Sequence, residues 1–355
     1  MMKKRKDIQF RRPKVCCISD IHIGIHQNSP QWHQIAIEWA KWLRDELKKQ
    51  DIADIVMCGD LIHHRAEVDI GTLNVVVEVL KIWDDFNIIM LVGNHDCYFK
   101  QRTDVNSLEV FNEWSNITVI SEVTSCEYLN NTYTFCPWAT SLEDIPESHI
   151  VFGHFEIQNF KYNQYRINVH GFKYTDLVKR TDLVITGHFH MGEVREYESG
   201  TIVYLGNPFQ MDFGDTDSLK GYYLLDLRNK EFDFYPNTIS PQYRKISLSR
   251  LVKIGKITDK VAKFFKNNIV KLVVDMSISA EHIDTLLEKL KRLNPMDLTV
   301  DYVVNFSRFM SSADDADLSG VDTEVAIKEF VNLLDIKNKD TIIKYTIDLY
   351  NKAKE

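Results

Sequence analysis

No apolar run among these 355 residues approaches the length needed to cross a bilayer. A basic cluster (Lys3, Lys4, Arg5, Lys6) opens the chain, but no apolar signal segment follows, because Asp7, Arg11, Arg12 and Lys14 interrupt it. Secretion is therefore not expected, and residues 1–13 read as a basic N-terminal extension. It is either a solvated tail or a basic arm near nucleic acid. Six cysteines include no CxxC pair, which leaves neither a disulfide framework nor a thiolate zinc site. Cys16, Cys17 and Cys58 lie in apolar runs and suit small buried thiols in a reducing cytoplasm. Internal repeats and low-complexity tracts are absent. So is an excess of positive charge: the formal net charge of −8 argues against a protein that simply coats nucleic acid. Clustered bases, or metals bound at a site, would change that inference.

What is present is an ordinary globular balance, 44% hydrophobic and 26% charged. Short apolar runs at Val15–Ser19, Ile55–Cys58 and Ile88–Val92 read as buried strands. They alternate with amphipathic stretches, Gln31–Lys49 and Leu73–Phe86, whose apolar residues recur near helical spacing. Further strands are expected at Thr132–Cys136, His149–Phe152, Leu183–Thr186, Ile202–Leu205 and Tyr222–Asp226. The fold class is therefore α/β (α+β): two sheets packed face to face with helices outside. Residues 14–240 would form this domain. Residues 241–306 would form a small α/β capping domain, with strands at Val270–Met276 and Leu298–Val304 around a helix at His282–Arg292. Residues 307–322, containing the acidic stretch Ser311–Asp322, read as a linker. Residues 323–355 read as a helical hairpin, Glu324–Leu334 and Thr341–Lys354. Its apolar stripe (Val325, Phe330, Val331, Leu334, Ile343, Ile347, Tyr350) is too extensive for so short a module to bury alone.

Five short motifs sit at the ends of expected strands: Asp20-Ile21-His22, Gly59-Asp60, Gly93-Asn94-His95-Asp96, Gly153-His154 and Gly187-His188-Phe189-His190. Singly, each is weak, since a Gly-Asp or Gly-His is more often a turn than a ligand. Together and in order they can converge at one sheet edge. Asp, Asn and imidazole donors without an oxygen cage suit Mn²⁺, Fe²⁺ or Zn²⁺ better than Ca²⁺. Asp-x-His and His-x-His place alternate side chains on one side of an extended segment. Two metals about 3.5–4 Å apart need a bridging carboxylate, for which Asp60 is the natural candidate.

This series resembles the calcineurin-like metallophosphoesterase superfamily. Within it, the chain resembles the SbcD-type DNA nucleases, in particular the recombination nuclease subunit of tailed phages. Gly59-Asp60-Leu61-Ile62-His63 resembles the nuclease form of the second motif. Tyr204-Leu205-Gly206-Asn207-Pro208, Gly214-Asp215 and Lys220-Gly221-Tyr222 resemble the loop closing the nuclease domain, and Phe135-Cys136-Pro137-Trp138 resembles a strand end in the phage proteins. The resemblance implies one metal held by Asp20, His22, Asp60 and His190, and another by Asp60, Asn94, His154 and His188, with Mn²⁺ expected and Mg²⁺ the alternative. His95 would protonate or stabilise the leaving oxygen, with Asp96 orienting its imidazole. His63 would steer the phosphate, or His64 would do so in its place. It further implies exonuclease action on duplex ends, endonuclease action on single strands, a homodimer, and docking of the C-terminal helices on an SbcC-type coiled-coil ATPase. The basic flank Arg250–Lys271, with Lys256, Lys260 and Lys263, would grip the DNA backbone or be a solvated helix face. A phosphoesterase of small phosphodiesters or phosphoproteins, and a silent protein-binding scaffold, are the rival readings.

Overall fold

The computed structural model describes residues 7–163, 166–303, 323–333 and 338–352. The expected linker 307–322 and the basic residues Lys3–Lys6 lie outside them. The strands run in chain order as β1 (Lys14–Ile18), β2 (Asp54–Met57), β3 (Asn87–Leu91), β4 (Ile117–Ile120), β5 (Thr124–Tyr128), β6 (Asn131–Cys136), β7 (Ile150–His154), β8 (Lys161–Asn163) and β9 (Arg166–Ile167). There follow β10 (Leu183–Gly187), β11 (Glu193–Tyr197), β12 (Gly200–Tyr204), β13 (Gly221–Asp226), β14 (Phe232–Pro236), β15 (Tyr243–Ser247), β16 (Ile269–Val274) and β17 (Asp297–Tyr302).

One six-stranded sheet has the order β14-β13-β1-β2-β3-β4, and another the order β11-β12-β10-β7-β6-β5. Their central strands are parallel, which explains why they read as continuous apolar runs: both faces are covered. The period of two sorts their side chains. Val15 and Cys17 of β1 join Val56, Ile89, Tyr133, Phe135, Phe152 and Ile185 between the sheets. Cys16 and Ile18 face the helices Pro30–Lys49 and Ile70–Ile82 instead, meeting Trp39, Leu43, Val76 and Leu80. Pro30 starts the first of these helices, where its missing N–H costs nothing, and Lys48 and Lys49 stand in the last turn against the dipole. Asp69 caps the second by accepting the N–H of Thr72 at 3.1 Å.

Strands β4, β5, β8, β9, β11, β14 and β15 were not expected from the sequence. β5 and β11 alternate half-buried and exposed residues along edges of the second sheet, so they lack the apolar run that marks the buried strands. The region 250–271 folds as two short helices, Leu248–Ile254 and Asp259–Phe265, leading into β16. With Ala280–Lys291 they cover the three-stranded sheet β15-β16-β17 around Phe265, Leu272 and Ile283. Tyr243 and Ile269 of this small module are buried in the first helix–sheet core. Residue 240 therefore marks a change of sheet rather than a break in packing, and the chain to Asp301 is one compact unit.

Residues 302–355 are a separate unit. Within it the helices Thr323–Leu333 and Lys339–Lys352 are joined by Asn351 Nδ2 donating to Glu324 Oε1 at 3.1 Å. Ile343, Ile347 and Tyr350 of the expected stripe are half-buried. Val331 of that stripe is buried and Val325 is exposed, and beside it Ile342, Tyr345 and Leu349 are exposed on the second helix.

The solvated-tail reading fails for the described part of the N-terminal extension. Ile8 and Phe10 are buried between the sheets beside Tyr133 and Phe135. The chain is fastened by the buried Asp54 at the start of β2, whose carboxylate accepts the backbone N–H of Arg11 and Arg12 and, at 2.7 Å, the Asn87 amide. Replacing Asp54 with Ala strands these donors. The expected loss is about 1–3 kcal/mol, measured by urea unfolding, with earlier proteolysis around Arg11 and Arg12.

Candidate metal centre

All five motifs meet where β1, β2, β3, β7 and β10 end. Each strand delivers its polar residues directly after a fully buried run, so the site's backbone is held by both sheets. Four of the polar residues, Asp20, His22, Asp60 and His188, have positive φ of 51–95°, a conformation costing about 1–3 kcal/mol per residue and found where a site demands it. The turns also leave no spare volume. At Gly59, with φ +98°, an added Cβ would land on the His154 imidazole, and at Gly93 it would land on Asp60.

Asp60 stands at the middle. Its Oδ1 accepts the backbone N–H of His95 at 2.8 Å. Its Oδ2 lies 3.7 Å from His22 Nε2 and 3.4 Å from His154 Nε2. On one side, donor atoms of Asp20, His22 and His190 lie within 4.8 Å of one another, and on the other those of Asp60, His154 and His188 do. Asn94 Oδ1 joins the second group, 2.9 Å from His154 Nε2 and 2.8 Å from His188 Nδ1. In the first, His22 Nε2 faces His190 Nε2 at 2.9 Å. Two imidazole nitrogens aimed at each other, beside buried carboxylates, are a donor set made for a cation between them.

The electrostatics agree. Burial holds His22 well below the ordinary histidine value, and brings His188 down to about 3 and His63 to about 4; neutral imidazoles are the ligand form. Burial pushes Asp20 up, with the Asp60 charge adding to it. Burial also opposes ionisation of Asp60, yet His154 and His22 outweigh it and hold this carboxyl far below the usual range. For His154, burial is overcome by Asp60 and Asp20, which lift it to about 9. Both its nitrogens face acceptors, Nδ1 the Cys58 carbonyl at 2.6 Å and Nε2 the Asn94 and Asp60 oxygens.

Asp96 does not touch the His95 ring. Its carboxylate accepts the backbone N–H groups of Asp60, Ile62 and Gly93 at 2.8, 3.1 and 3.0 Å. Burial and the Asp60 charge push it up to about 7. The expected orienting role passes to a backbone group: His95 Nδ1 lies 2.6 Å from the His63 carbonyl. The His63 ring stacks on His95 with centroids 5.3 Å apart, and its Nδ1 is 3.3 Å from His22 Nδ1. His64 is exposed beside it. Lys256, Lys260 and Lys263 do not belong to the cluster and are exposed on the small module.

The support of His190 was not expected from the sequence. Its carbonyl accepts from Lys220 Nζ at 2.7 Å, and Lys220 pairs with Asp215 at 2.6 Å. Asp215 also accepts the N–H of Met211 and the Asn207 amide. A lysine entering the apolar strand β13 was the visible signal. Trp138, at the strand end that resembles the phage proteins, also borders the site: its ring centroid lies 4.9 Å from that of His188.

Residues 13–192 match the model of the calcineurin-like phosphoesterases. The chain belongs to that family. It is a hydrolytic phosphoesterase, and the family implies divalent metals, which the donor groups of this centre fit. It is similar to exonuclease subunit 1 of Enterobacteria phage T4, 25% identical over 361 residues that cover 96% of this chain and 99% of that protein. It is also similar to the SbcD component of the nuclease SbcCD of Staphylococcus epidermidis, 23% identical over 339 residues covering 82% and 86%. Among solved structures, an archaeal phosphodiesterase matches 63% of this chain and 99% of its own, at 15% identity and a TM-score of 0.37. No helix among the described residues is long and apolar enough to cross a membrane.

His154 carries a proton near neutral pH, and a metal taking Nε2 must displace it. Metal binding by this phosphoesterase is expected to release protons, and apparent affinity to rise with pH up to about 9. Calorimetry in buffers of different ionisation enthalpy measures the release; a proton count of zero near neutral pH would show that His154 is already neutral before the metal binds.

Proposed function

We propose that the protein is a metal-dependent DNA nuclease, cutting duplex ends as an exonuclease and single strands as an endonuclease. The position of Asp60 Oδ2, between His22 and His154, is the observation that carries a two-metal reading. The similarity to two nuclease subunits over more than four-fifths of the chain favours DNA over small phosphodiesters or phosphoproteins.

In this reading Asp20, His22, Asp60 and His190 hold one divalent ion and Asp60, Asn94, His154 and His188 the other, with Mn²⁺ preferred to Mg²⁺. When bound, the pair would polarise the phosphodiester and lower the pKa of the attacking water. The protein's own groups position and protonate. His95 has Nδ1 committed to the His63 carbonyl, so Nε2 is the atom left to give a proton to the departing sugar oxygen. His63, stacked on His95, steers the phosphate. Asp96 acts indirectly, fixing the loops of Asp60 and Gly93 to each other.

The partner proposed for the C-terminal helices is an SbcC-type coiled-coil ATPase, supported by the exposed Ile342, Tyr345 and Leu349. A homodimer is proposed as the assembly, as the resemblance to these nucleases implies. The expected compartment is the cytoplasm, that of the host for a phage protein.

The test is cleavage of end-labelled linear duplex and single-stranded DNA with Mn²⁺, Mg²⁺ or EDTA. Mn²⁺-dependent cutting is expected, slowed by about 10²–10⁴-fold in His95→Ala with metal content retained. Hydrolysis of bis-p-nitrophenyl phosphate without DNA cutting, with the ATPase added, would favour the small-substrate reading.

Lys256, Lys260 and Lys263 are proposed to contact DNA phosphates. Replacing all three with Ala should lower the slope of log affinity against log salt by about 2–3. An unchanged slope would make them a solvated face.

A further inference from the structure

A cavity of about 280 Å³ opens beside the metal centre, on the side of His154. Its walls are Trp138, Phe155 and Phe172, with Gln101, Thr140 and Glu156 as polar groups. The Trp138 ring centroid is 4.9 Å from that of His188 and 5.9 Å from that of His154. A flat, half-buried aromatic surface therefore adjoins the proposed ligands of one metal. We propose that this cavity receives an unpaired nucleobase of the strand being cut, stacked against Trp138, from a nucleotide next to the scissile phosphate.

The proposal rests on the nuclease reading and adds what part of the DNA the site holds. Chemistry favours a base over a phosphate here, because Glu156 would repel an anion while Gln101, Thr140 and Glu156 offer partners to a base edge. Size favours it too: the cavity on the other side, at Tyr162, Met191, Asp212 and Ser218, has only about 120 Å³. Trp138 is held before any ligand arrives. Its backbone N–H donates to the Val92 carbonyl at 2.9 Å and its Nε1–H to the Lys100 carbonyl at 2.8 Å. A platform fixed at both ends loses little freedom on stacking. The Lys100 contact also ties down a loop whose Tyr98 and Phe99 rings are exposed, with centroids 4.9 Å apart. Every base has a π-face, so such a surface holds any sequence. It requires a base out of the duplex, as at a single strand or an opened end.

The experiment follows Mn²⁺-dependent cleavage by the wild-type protein of single-stranded oligonucleotides carrying one stable abasic residue. The residue is moved stepwise through the positions around the cut. At one position beside the scissile phosphate, KM should rise about 5- to 100-fold, with a smaller change in kcat. Trp138→Ala should abolish this discrimination between normal and abasic substrates, and Trp138→Phe should keep it. Equal cleavage of every abasic substrate by the wild type, which needs no variant to interpret, would overturn the proposal and leave the nuclease reading standing. A penalty that persists in Trp138→Ala would overturn the role of the indole. If the wild type cuts no DNA even with the ATPase, the nuclease reading fails and the proposal with it.

Discussion

Three carboxylates, Asp20, Asp60 and Asp96, lie almost wholly buried at the junction of the two sheets. Buried negative charge in such density is costly unless it is matched by donors or cations. The protein matches Asp96 with three backbone N–H groups, Asp60 with imidazoles and the His95 N–H, and Asp20 with the His188 N–H beside His22 and His190. The loops after β2 and β3 are consequently bound to each other through Asp96. Asp96 adds this cross-link to a backbone already held by both sheets, and the proposed metals depend on the geometry they maintain together. A carboxylate expected to tune a histidine instead builds the frame that holds Asp60.

Support of this kind recurs around the cluster. Lys220 and Asp215 hold the His190 carbonyl, the Cys58 carbonyl orients His154, and the His63 carbonyl orients His95. In each case the group holding the histidine is backbone or belongs to a distant loop. Ligand orientation is set by such partners as much as by the ligands themselves. Strain at Asp20, His22, Asp60 and His188 persists because both sheets fix the ends of their strands.

The ligand candidates were legible because the sequence pattern is local: an apolar run, then Gly-Asp, Gly-Asn-His-Asp or Gly-His-x-His. Buried parallel strands were legible for the same reason. Edge strands β5 and β11 were not, since half-burial gives them alternating, partly charged residues. The role of Asp96 was misread because proximity to His95 in sequence says nothing about which atoms its carboxylate meets. Trp138 and Lys220 act across 50 and 30 residues on His188 and His190, and no local pattern encodes such pairings. On the second helix of the C-terminal hairpin the exposed apolar face is offset from the expected stripe by part of a turn, since Ile343 and Ile347 are half-buried while Ile342, Tyr345 and Leu349 are exposed; on the first, Val325 is exposed as expected.

The segment from Asp54 to Asp60 joins two fixed points. At its start Asp54 clamps the residues that precede β1, and at its end Asp60 stands between the two histidine groups. Between them Ile55 and Met57 point to the helices while Val56 and Cys58 point between the sheets. An inserted or deleted residue here would reverse that alternation and pull one anchor from its partners. Length variation among descendants of this gene should therefore be excluded from this segment and collect in exposed connections such as Leu129 and Asn130, between β5 and β6, where no anchor is shared.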